Sequence, residues 1–255
     1  MNNSKKETYP INKFLILVPV FNEEDSIEEM LEKIRQNNQE ADILVINDGS
    51  TDRTSALLQK QKDIYTISRK KNLGYGQTLI DGFQFSINHN YEYLITIDSD
   101  KQHQPEEIQN FIKLALQEDW DIISGSRYLD HSRNDLNHAP ADRQKINRRI
   151  TQIINNLTGY TLTDAFCGFK LYKVRALQKL RLKEPGYGMP LELWIQAWKQ
   201  NFQIKEIPVA LIYLDKNVEE TSSYQNMFRR YKYYLTIIEK EIKNYEDISI
   251  SSASG

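Results

Sequence analysis

Residues 94–100 read Leu-Ile-Thr-Ile-Asp-Ser-Asp, an aliphatic run that ends in two carboxylates. The apolar part is typical of a buried strand, which places Asp98 and Asp100 at the carboxyl end of that strand. Together with Gln102, these side chains offer oxygen ligands at every second position, a set that suits Mg²⁺ or Mn²⁺. The same carboxylates could instead cap the helix that we predict from Pro105, because Asp is a common capping residue.

Two earlier aliphatic strands also run into carboxylates. Residues 14–20 read Phe-Leu-Ile-Leu-Val-Pro-Val and lead to Glu23, while residues 43–46 read Ile-Leu-Val-Ile and lead to Asp48. Carboxyl ends of parallel strands meet at one edge of a sheet, so we expect these acids to lie near the 98–100 segment. The alternation of strands with amphipathic helices predicts an α/β fold, a mostly parallel sheet covered by helices on both faces.

The remaining elements are predicted from apolar periodicity and from Gly and Pro breaks. We predict further strands at 63–68, 94–97, 121–124, 169–173 and 204–214. We predict helices at 26–36, 54–61, 77–87, 105–117, 143–157, 174–180, 191–201 and 224–244. Pro208 lacks a backbone donor, which indicates that the last strand lies at an edge of the sheet.

Composition limits the classes of protein to consider. The chain has 255 residues, 40% hydrophobic and 27% charged, with a net charge of −2, so no basic field would recruit nucleic acid. Its single cysteine, Cys167, cannot form an intrachain disulfide, which fits a reducing compartment. No stretch approaches the roughly 20 apolar residues of a membrane span. We therefore expect a cytoplasmic protein, either free or peripheral to the inner membrane face.

Six short motifs, taken together, resemble a known family. They are Val18–Glu24 (VPVFNEE), Val45–Asp52 (VINDGSTD), Asn72–Gly76 (NLGYG), Asp98–His103 (DSDKQH), Gly125–Tyr128 (GSRY) and Cys167–Lys170 (CGFK). Each string is short, but their order and spacing over about residues 14–214 are specific. The chain resembles the inverting glycosyltransferases of family 2, which have a nucleotide-sugar-binding GT-A domain. Within that family it is most similar to the polyprenol-phosphate (dolichol-phosphate) mannosyl- and glucosyltransferases.

The resemblance implies a donor site at the strand ends and in the glycine-containing loop. The nucleotide-sugar-binding residues would be Pro19, Phe21, Glu23, Ile46, Asp48, Gly76, Asp98, Ser99, Asp100, Arg127 and Lys216. Asp98, Asp100 and Arg127 would carry catalysis, and Asp98, Asp100 and Gln102 would hold Mg²⁺ or Mn²⁺. From the residues alone, Asp48 could equally serve an Asp-Gly turn, and Glu23 could be an acid favoured at a helix start.

The acceptor is inferred from fewer residues. Arg143 and Asn147 lie one helical turn apart, and the resemblance implies that they bind an acceptor phosphate, although the family has Ser where this chain has Asn147. A hydroxyl acceptor needs a general base, whereas a phosphate is already anionic. The stretch 189–192 has one carboxylate where polysaccharide-extending members have a Glu-Asp pair. A polyprenyl phosphate is therefore favoured. For a hydroxyl acceptor, Glu192 could serve as the base or be an ordinary acid at a helix start, and Asp164 could be a second candidate base or an anchor of the acceptor loop.

The chain is expected to divide into four parts. We predict a disordered N-terminus over 1–11, the GT-A domain over 12–214, a C-terminal loop and helix over 215–248, and a disordered tail over 249–255. Acids follow Lys216, which departs from the family pattern. The C-terminal helix mixes aromatic with basic residues, and it could pack on its own domain, on a second subunit of a homo-oligomer, or on a membrane surface or anchoring partner.

The expected reaction is transfer of a hexose from a nucleotide diphosphate sugar, of the GDP-mannose or UDP-glucose type, to a polyprenyl phosphate. Two alternatives stay open. The acceptor could be a hydroxyl of a glycan or a small molecule. The altered loop at 215–222 also leaves open a non-catalytic protein that binds nucleotide sugars.

Overall fold

In the part of the chain that the structure describes, seven strands form a single sheet. The computed structural model describes residues 12–130, 141–210, 212 and 224–253, and in the helices that border the gaps it describes side chains over 144–158 and 227–244. The strands are β1 (Phe14–Val20), β2 (Ala41–Asn47), β3 (Tyr65–Ser68), β4 (Tyr93–Thr96), β5 (Ile122–Ser126), β6 (Lys170–Lys173) and β7 (Ile204–Pro208). Their order in the sheet is β3-β2-β1-β4-β6-β5-β7.

The sheet is mostly parallel, as predicted. Strand β1 pairs in parallel with β2 and β4, β2 with β3, and β5 with β7. Only β6, among the described strands, runs antiparallel to its neighbours β4 and β5. Strand β7 lies at the edge that Pro208 indicated and ends at that proline, while residues 211 and 213–214 of the predicted strand lie outside the described residues.

Helices connect the strands and cover both faces of the sheet. They are α1 (Ile27–Asn37), α2 (Thr54–Leu58), α3 (Tyr75–Asn88), α4 (Ile108–Gln117), α5 (Ala141–Thr158), α6 (Val174–Leu177), α7 (Met189–Lys199) and α8 (Tyr224–Ala253). A 3₁₀ turn over Pro105–Glu107 precedes α4. The predicted helices are therefore present, with ends that differ by a few residues in most cases.

The apolar run of β1 explains why two helical layers are needed. Alternate side chains of a strand point to opposite faces. Leu15 and Leu17 pack in the core formed with α3, α5 and α7, while Ile16 and Val18 pack in the core formed with α1 and α4. A strand buried on both faces has no polar side, which is why this segment is a continuous apolar run.

Helix α8 packs on α5 and α7 of the same domain through buried Tyr234, Ile237 and Ile238. Its bounds, Tyr224–Ala253, extend beyond the predicted limit at 244, and the disordered tail expected over 249–255 stays a prediction. In the parts of the chain that are described, no helix has both the length and the apolarity to cross a bilayer. The predicted N-terminal segment 1–11 and the loop with Lys216 lie outside the described residues.

Candidate active site

A cavity of about 760 Å³ lies where β1, β2, β4 and β5 end. This volume is within the range of small-molecule sites. Many of its lining residues follow those strands directly, because a parallel arrangement brings the carboxyl ends of neighbouring strands together. Of the residues predicted for the site, Pro19, Phe21, Glu23, Asp48, Asp98, Ser99, Asp100, Gln102, Arg127 and Asn147 line the cavity.

The end of β1 forms one wall. Pro19, Phe21 and Glu23 line it, and Phe21 is 44% exposed, which leaves its ring available for stacking. Burial raises the pKa of Glu23, while the hydrogen bond from the Ser26 hydroxyl opposes this effect. Ile46 of β2, predicted to bind the nucleotide sugar, has a side chain that is fully buried in the core. Its side chain therefore faces the core, and a donor contact at Ile46 stays a prediction.

Asp48 organises the glycine-containing loop that follows β3. Its carboxylate accepts hydrogen bonds from the backbone N–H groups of Leu73 at 2.9 Å and Gly74 at 2.8 Å. The buried Arg69 guanidinium lies 2.6 Å from Asp48, and it also pairs with Asp81. The side chain therefore shapes the cavity by fixing the loop, in addition to bordering it.

The two loop glycines have different surroundings. Gly74 lines the cavity and has a φ of +106°, a conformation that L side chains rarely adopt. Gly76 was predicted to contact the donor, but it packs against the backbone of the 184–186 segment instead. A Cβ at Gly76 would lie 2.3 Å from the carbonyl oxygen of Glu184 and 2.6 Å from that of Gly186. Of these two glycines, Gly74 lines the cavity and Gly76 does not, so a donor contact at Gly76 stays a prediction.

Gly76→Ala should lower the free energy of unfolding by about 1–3 kcal/mol, because the new methyl group collides with backbone that cannot move freely. Ala is otherwise favoured over Gly in a helix. Gly159→Ala is the control: its site is open but has a φ of +74°. We expect a smaller loss there, from backbone strain of about 1 kcal/mol. Urea unfolding measures both, and an unchanged midpoint for Gly76→Ala would contradict the packing role.

Asp98 and Asp100 follow β4 and share the cavity. Asp98 accepts a hydrogen bond from the Tyr75 hydroxyl at 2.9 Å, and its other oxygen faces Gly168, where a Cβ would lie within 2.3 Å. Asp100 is open to the cavity and accepts the backbone N–H of Gln102 at 3.0 Å. The protein atoms around Asp100 and the negative charge of Asp98 raise the pKa of Asp100 to about 6.

This pair fits a hard divalent cation. Two carboxylates with a repulsive interaction line a polar cavity beside the Gln102 side chain. The described residues contain no cluster of three or more acidic, imidazole or thiol groups that could complete a metal site alone. Mg²⁺ and similar ions are commonly held by one or two carboxylates and completed by substrate phosphates. The donor set therefore suits a cation that binds together with a nucleotide diphosphate.

Arg127 follows β5 and is held by a buried carboxylate. Its guanidinium donates to Asp164 through Nε at 2.6 Å and Nη2 at 2.9 Å, and its side chain also lines the cavity. Glu206 of β7 accepts the backbone N–H groups of Thr163 at 2.7 Å and Asp164 at 3.0 Å. Burial alone would raise the pKa of Asp164, but the Arg127 charge holds it below its usual value.

Neither predicted general base faces the cavity. Asp164 is fully buried and both of its oxygens bond to Arg127. Glu192 is 3% exposed, and its carboxylate accepts the backbone N–H groups of Lys183 and Glu184 at 2.8–2.9 Å. Its pKa is raised by burial. Both acids therefore anchor loops inside the protein, and a role for either as the general base of a hydroxyl acceptor stays a prediction.

Several cavity residues were not predicted as site residues. The aromatic ones are Tyr75, Phe166, Tyr187, Tyr233 and Tyr234, and the basic ones are Arg229 and Arg230 of α8. Asn147 on α5 lines the cavity as expected, whereas the side chain of Arg143 lies outside the described residues. The i, i+4 spacing of Arg229 with Tyr233 was visible in the sequence, but nothing there indicated which surface that helix face would contact.

Relatives extend over nearly the whole chain. The uncharacterized protein MJ1222 of Methanocaldococcus jannaschii is 29% identical over 236 residues, covering 90% of this chain and 96% of that protein. The polyprenol monophosphomannose synthase of Mycolicibacterium smegmatis is 24% identical over 221 residues, covering 84% of this chain and 82% of the relative. The resemblance to polyprenol-phosphate mannosyltransferases that the motifs suggested is confirmed by this second relative.

The fold also matches solved structures. One is glucosyl-3-phosphoglycerate synthase from Mycobacterium tuberculosis, crystallised with Mn²⁺, uridine diphosphate and phosphoglyceric acid. It superimposes with a TM-score of 0.68 and 16% identity, covering 90% of this chain and 78% of the other, which confirms the GT-A-like α/β fold. The sequence model described as glycosyl transferase family 2 matches residues 15–181. The matched segment is more than half of the chain, and it contains the four strand ends that form the cavity. The chain therefore belongs to glycosyl transferase family 2 and is a glycosyltransferase, as its motifs predicted.

Proposed function

We propose that this protein transfers a hexose, with inversion, from a nucleoside diphosphate sugar to a polyprenyl phosphate, assisted by Mg²⁺ or Mn²⁺. The observation that carries the proposal is the convergence of Glu23, Asp48, Asp98 and Asp100 from three strand ends on one cavity that also contains Arg127. Such a set can bind a nucleoside, a diphosphate and a cation at once. Inversion follows if the acceptor oxygen attacks the anomeric carbon opposite the departing diphosphate.

The donor would lie along the strand ends. The base and ribose fit against Pro19, Phe21, Glu23 and Asp48, with the loop around Gly74 close to the nucleotide backbone. The diphosphate would lie near Asp98, Asp100 and Arg127, with Gln102 beside them. A cation held by the two aspartates would stabilise the negative charge that develops on the leaving diphosphate. The Arg127 guanidinium, oriented by Asp164, offers further hydrogen bonds to phosphate oxygens.

The lining of the cavity favours an anionic acceptor. Among the described residues, the carboxylates that line it are Glu23, Asp48, Asp98 and Asp100, and all follow the strands that build the donor half. Asp164 and Glu192, which could have activated a hydroxyl, are turned inward. A phosphate oxygen needs no deprotonation to attack the donor. The name of the mycolicibacterial relative supports the same acceptor class, since that protein makes a polyprenol monophosphomannose.

The first test is binding of nucleotide sugars to the free protein. A ligand that binds only the folded state at 100 times its Kd adds about 2.7 kcal/mol of stability. For a chain of this size that corresponds to a rise in Tm of roughly 5–10 °C. We expect one member of a panel of GDP- and UDP-sugars to give such a shift, and only with Mn²⁺ or Mg²⁺ present. No shift with any member would contradict the donor site.

The second test is transfer. The donor chosen by the binding panel is incubated with a polyprenyl phosphate, with the matching polyprenol, and with phosphoglyceric acid, the ligand in the structural relative's crystals. We expect product only with the polyprenyl phosphate. Product with the polyprenol would instead support a hydroxyl acceptor. Tight donor binding without any transfer would support a non-catalytic binding protein.

A further inference from the structure

We infer that Arg229 and Arg230 of α8 bind the phosphate group of the acceptor. Both side chains line the cavity, yet they come from a helix about 100 residues along the chain from Arg127. The inference rests on the proposed function and identifies which residues recognise its acceptor. The acceptor class is a phosphate monoester carried on an apolar chain.

The orientation of α8 is fixed by the residues one turn further along. Arg229 and Tyr233, and likewise Arg230 and Tyr234, are four residues apart and therefore share a helix face. The Tyr233 hydroxyl donates to Glu184 at 2.6 Å. Tyr234 is buried, and its ring lies 4.9 Å from that of Phe166. These contacts hold the preceding turn, with its two arginines, over the cavity.

Close packing between α8 and the 184–188 segment supports this placement. A Cβ at Gly188 would lie 2.0 Å from the Ile237 side chain, and one at Gly186 would lie 2.7 Å from the Tyr233 hydroxyl. Helix and loop therefore approach each other as closely as glycine permits. Helix α8 also packs on α5, which carries Asn147 into the same cavity. The arginines and Asn147 thus come from two neighbouring helices.

Charge distribution indicates an anion at this position. Arg127 is already neutralised by Asp164. Within the part of the chain that the structure describes, Arg229 and Arg230 have no carboxylate partner, although four carboxylates line the donor half of the cavity. A guanidinium matches phosphate oxygens with two parallel hydrogen bonds. The donor diphosphate would be neutralised by the cation that Asp98 and Asp100 hold and by Arg127. Arg229 and Arg230 therefore remain for a second phosphate group.

Aromatic side chains beside the arginines suit the apolar part of the ligand. Tyr187 is 70% exposed, and it stacks on Tyr75 with ring centroids 5.4 Å apart. Tyr233 is 38% exposed at the same cavity. An exposed aromatic face next to two guanidinium groups favours an amphiphile over a free anion, because both of its parts find partners.

The test compares binding of farnesyl phosphate with that of farnesol in the same detergent, by equilibrium dialysis. The parent should bind the phosphate at least tenfold more tightly than the alcohol. Arg229→Ala/Arg230→Ala should lose most of that preference, since hydrogen bonds to charged groups are among the stronger ones. Arg229→Lys/Arg230→Lys should keep part of it, because charge remains without the planar fork. Lys232→Ala, an exposed cation on the same helix, is the control and should behave as the parent.

The inference would be overturned by a parent without phosphate preference, or by an alanine double variant that keeps the preference. A double variant that instead loses its nucleotide-sugar shift would also overturn it, because the pair would then serve the donor. The proposed function fails separately. If no nucleotide sugar raises the Tm of the parent, the donor site is contradicted. The comparison of farnesyl phosphate with farnesol can still be made in that case.

Discussion

Asp100→Asn is expected to reduce kcat/KM for hexose transfer by about 10³ or more. The change keeps the shape of the side chain but removes one of the two negative charges that would hold the cation. Metal stabilisation of a leaving group is worth several kcal/mol, and each 1.4 kcal/mol is about tenfold in rate. The Mn²⁺-dependent rise in Tm with the donor should fall at the same time, because metal and diphosphate bind as a unit.

The same substitution should leave the stability of the free protein unchanged or slightly higher. The pKa of Asp100 is raised to about 6 by its surroundings and by Asp98, so its charged form is disfavoured in the folded state. A neutral amide removes that unfavourable charge. Activity and stability should therefore move independently, which a variant that simply misfolds would not show.

Asp63→Asn is the matched control, since Asp63 is exposed and has a φ of +57°, a conformation that Asn tolerates well. It should be indistinguishable from the parent in rate, in Tm and in the Mn²⁺-dependent shift. If Asp100→Asn bound Mn²⁺ and donor as tightly as the parent, the cation would have to lie elsewhere and the role of Asp100 would be abandoned.

Strand positions and the carboxylates that follow them were predictable because both depend on local sequence. An apolar run without a polar side, such as 14–20, specifies a strand covered on both faces, and the next polar residue then lies at the sheet edge. Glu23, Asp48, Asp98 and Asp100 were placed by this reasoning alone, and all line the cavity.

The predicted residues that do not line the cavity differ in the direction of their side chains and in contacts distant in sequence. Ile46 lies next to Asp48 in the chain, but neighbouring positions on a strand alternate between faces, and its side chain points into the core. Asp164 and Glu192 were candidate general bases because the sequence does not show their hydrogen-bond partners. Arg127 and the backbone of residues 183–184 are those partners. Arg229 and Arg230 were missed for a related reason, because α8 reaches the cavity through tertiary packing.

Arg127→Gln is expected to lower the free energy of unfolding by about 3–5 kcal/mol, since it leaves the fully buried Asp164 carboxylate without its counterion. Asp164→Asn should cost less, because the Arg127 side chain is 15% exposed and borders the cavity, where its charge can be solvated. Urea unfolding at neutral pH measures both variants. Equal losses would contradict this asymmetry and would indicate that the two charges are equally buried.

The double variant Arg127→Gln/Asp164→Asn separates the structural role of the pair from its role in transfer. Two amides can still hydrogen-bond, and no buried charge remains, so the double variant should be more stable than Arg127→Gln alone. Transfer should not return with stability, because the cavity then lacks the Arg127 charge beside the diphosphate. A double variant that recovered both would show that Arg127 acts only through the fold.

Acid adds an independent check on the same pair. The pKa of Asp164 is held below its unfolded value, so the stability that it contributes is present above about pH 4 and is lost as the pH falls through the lower, folded value. The parent should therefore lose stability between about pH 4 and pH 2 more steeply than the double variant, which has no carboxylate at this position. Parallel acid dependence in the two proteins would contradict a depressed pKa at Asp164. A steeper acid dependence in the parent, together with lost transfer in the double variant, would support two roles for the Arg127–Asp164 ion pair. It would stabilise the fold, and it would orient the Arg127 guanidinium that faces the diphosphate.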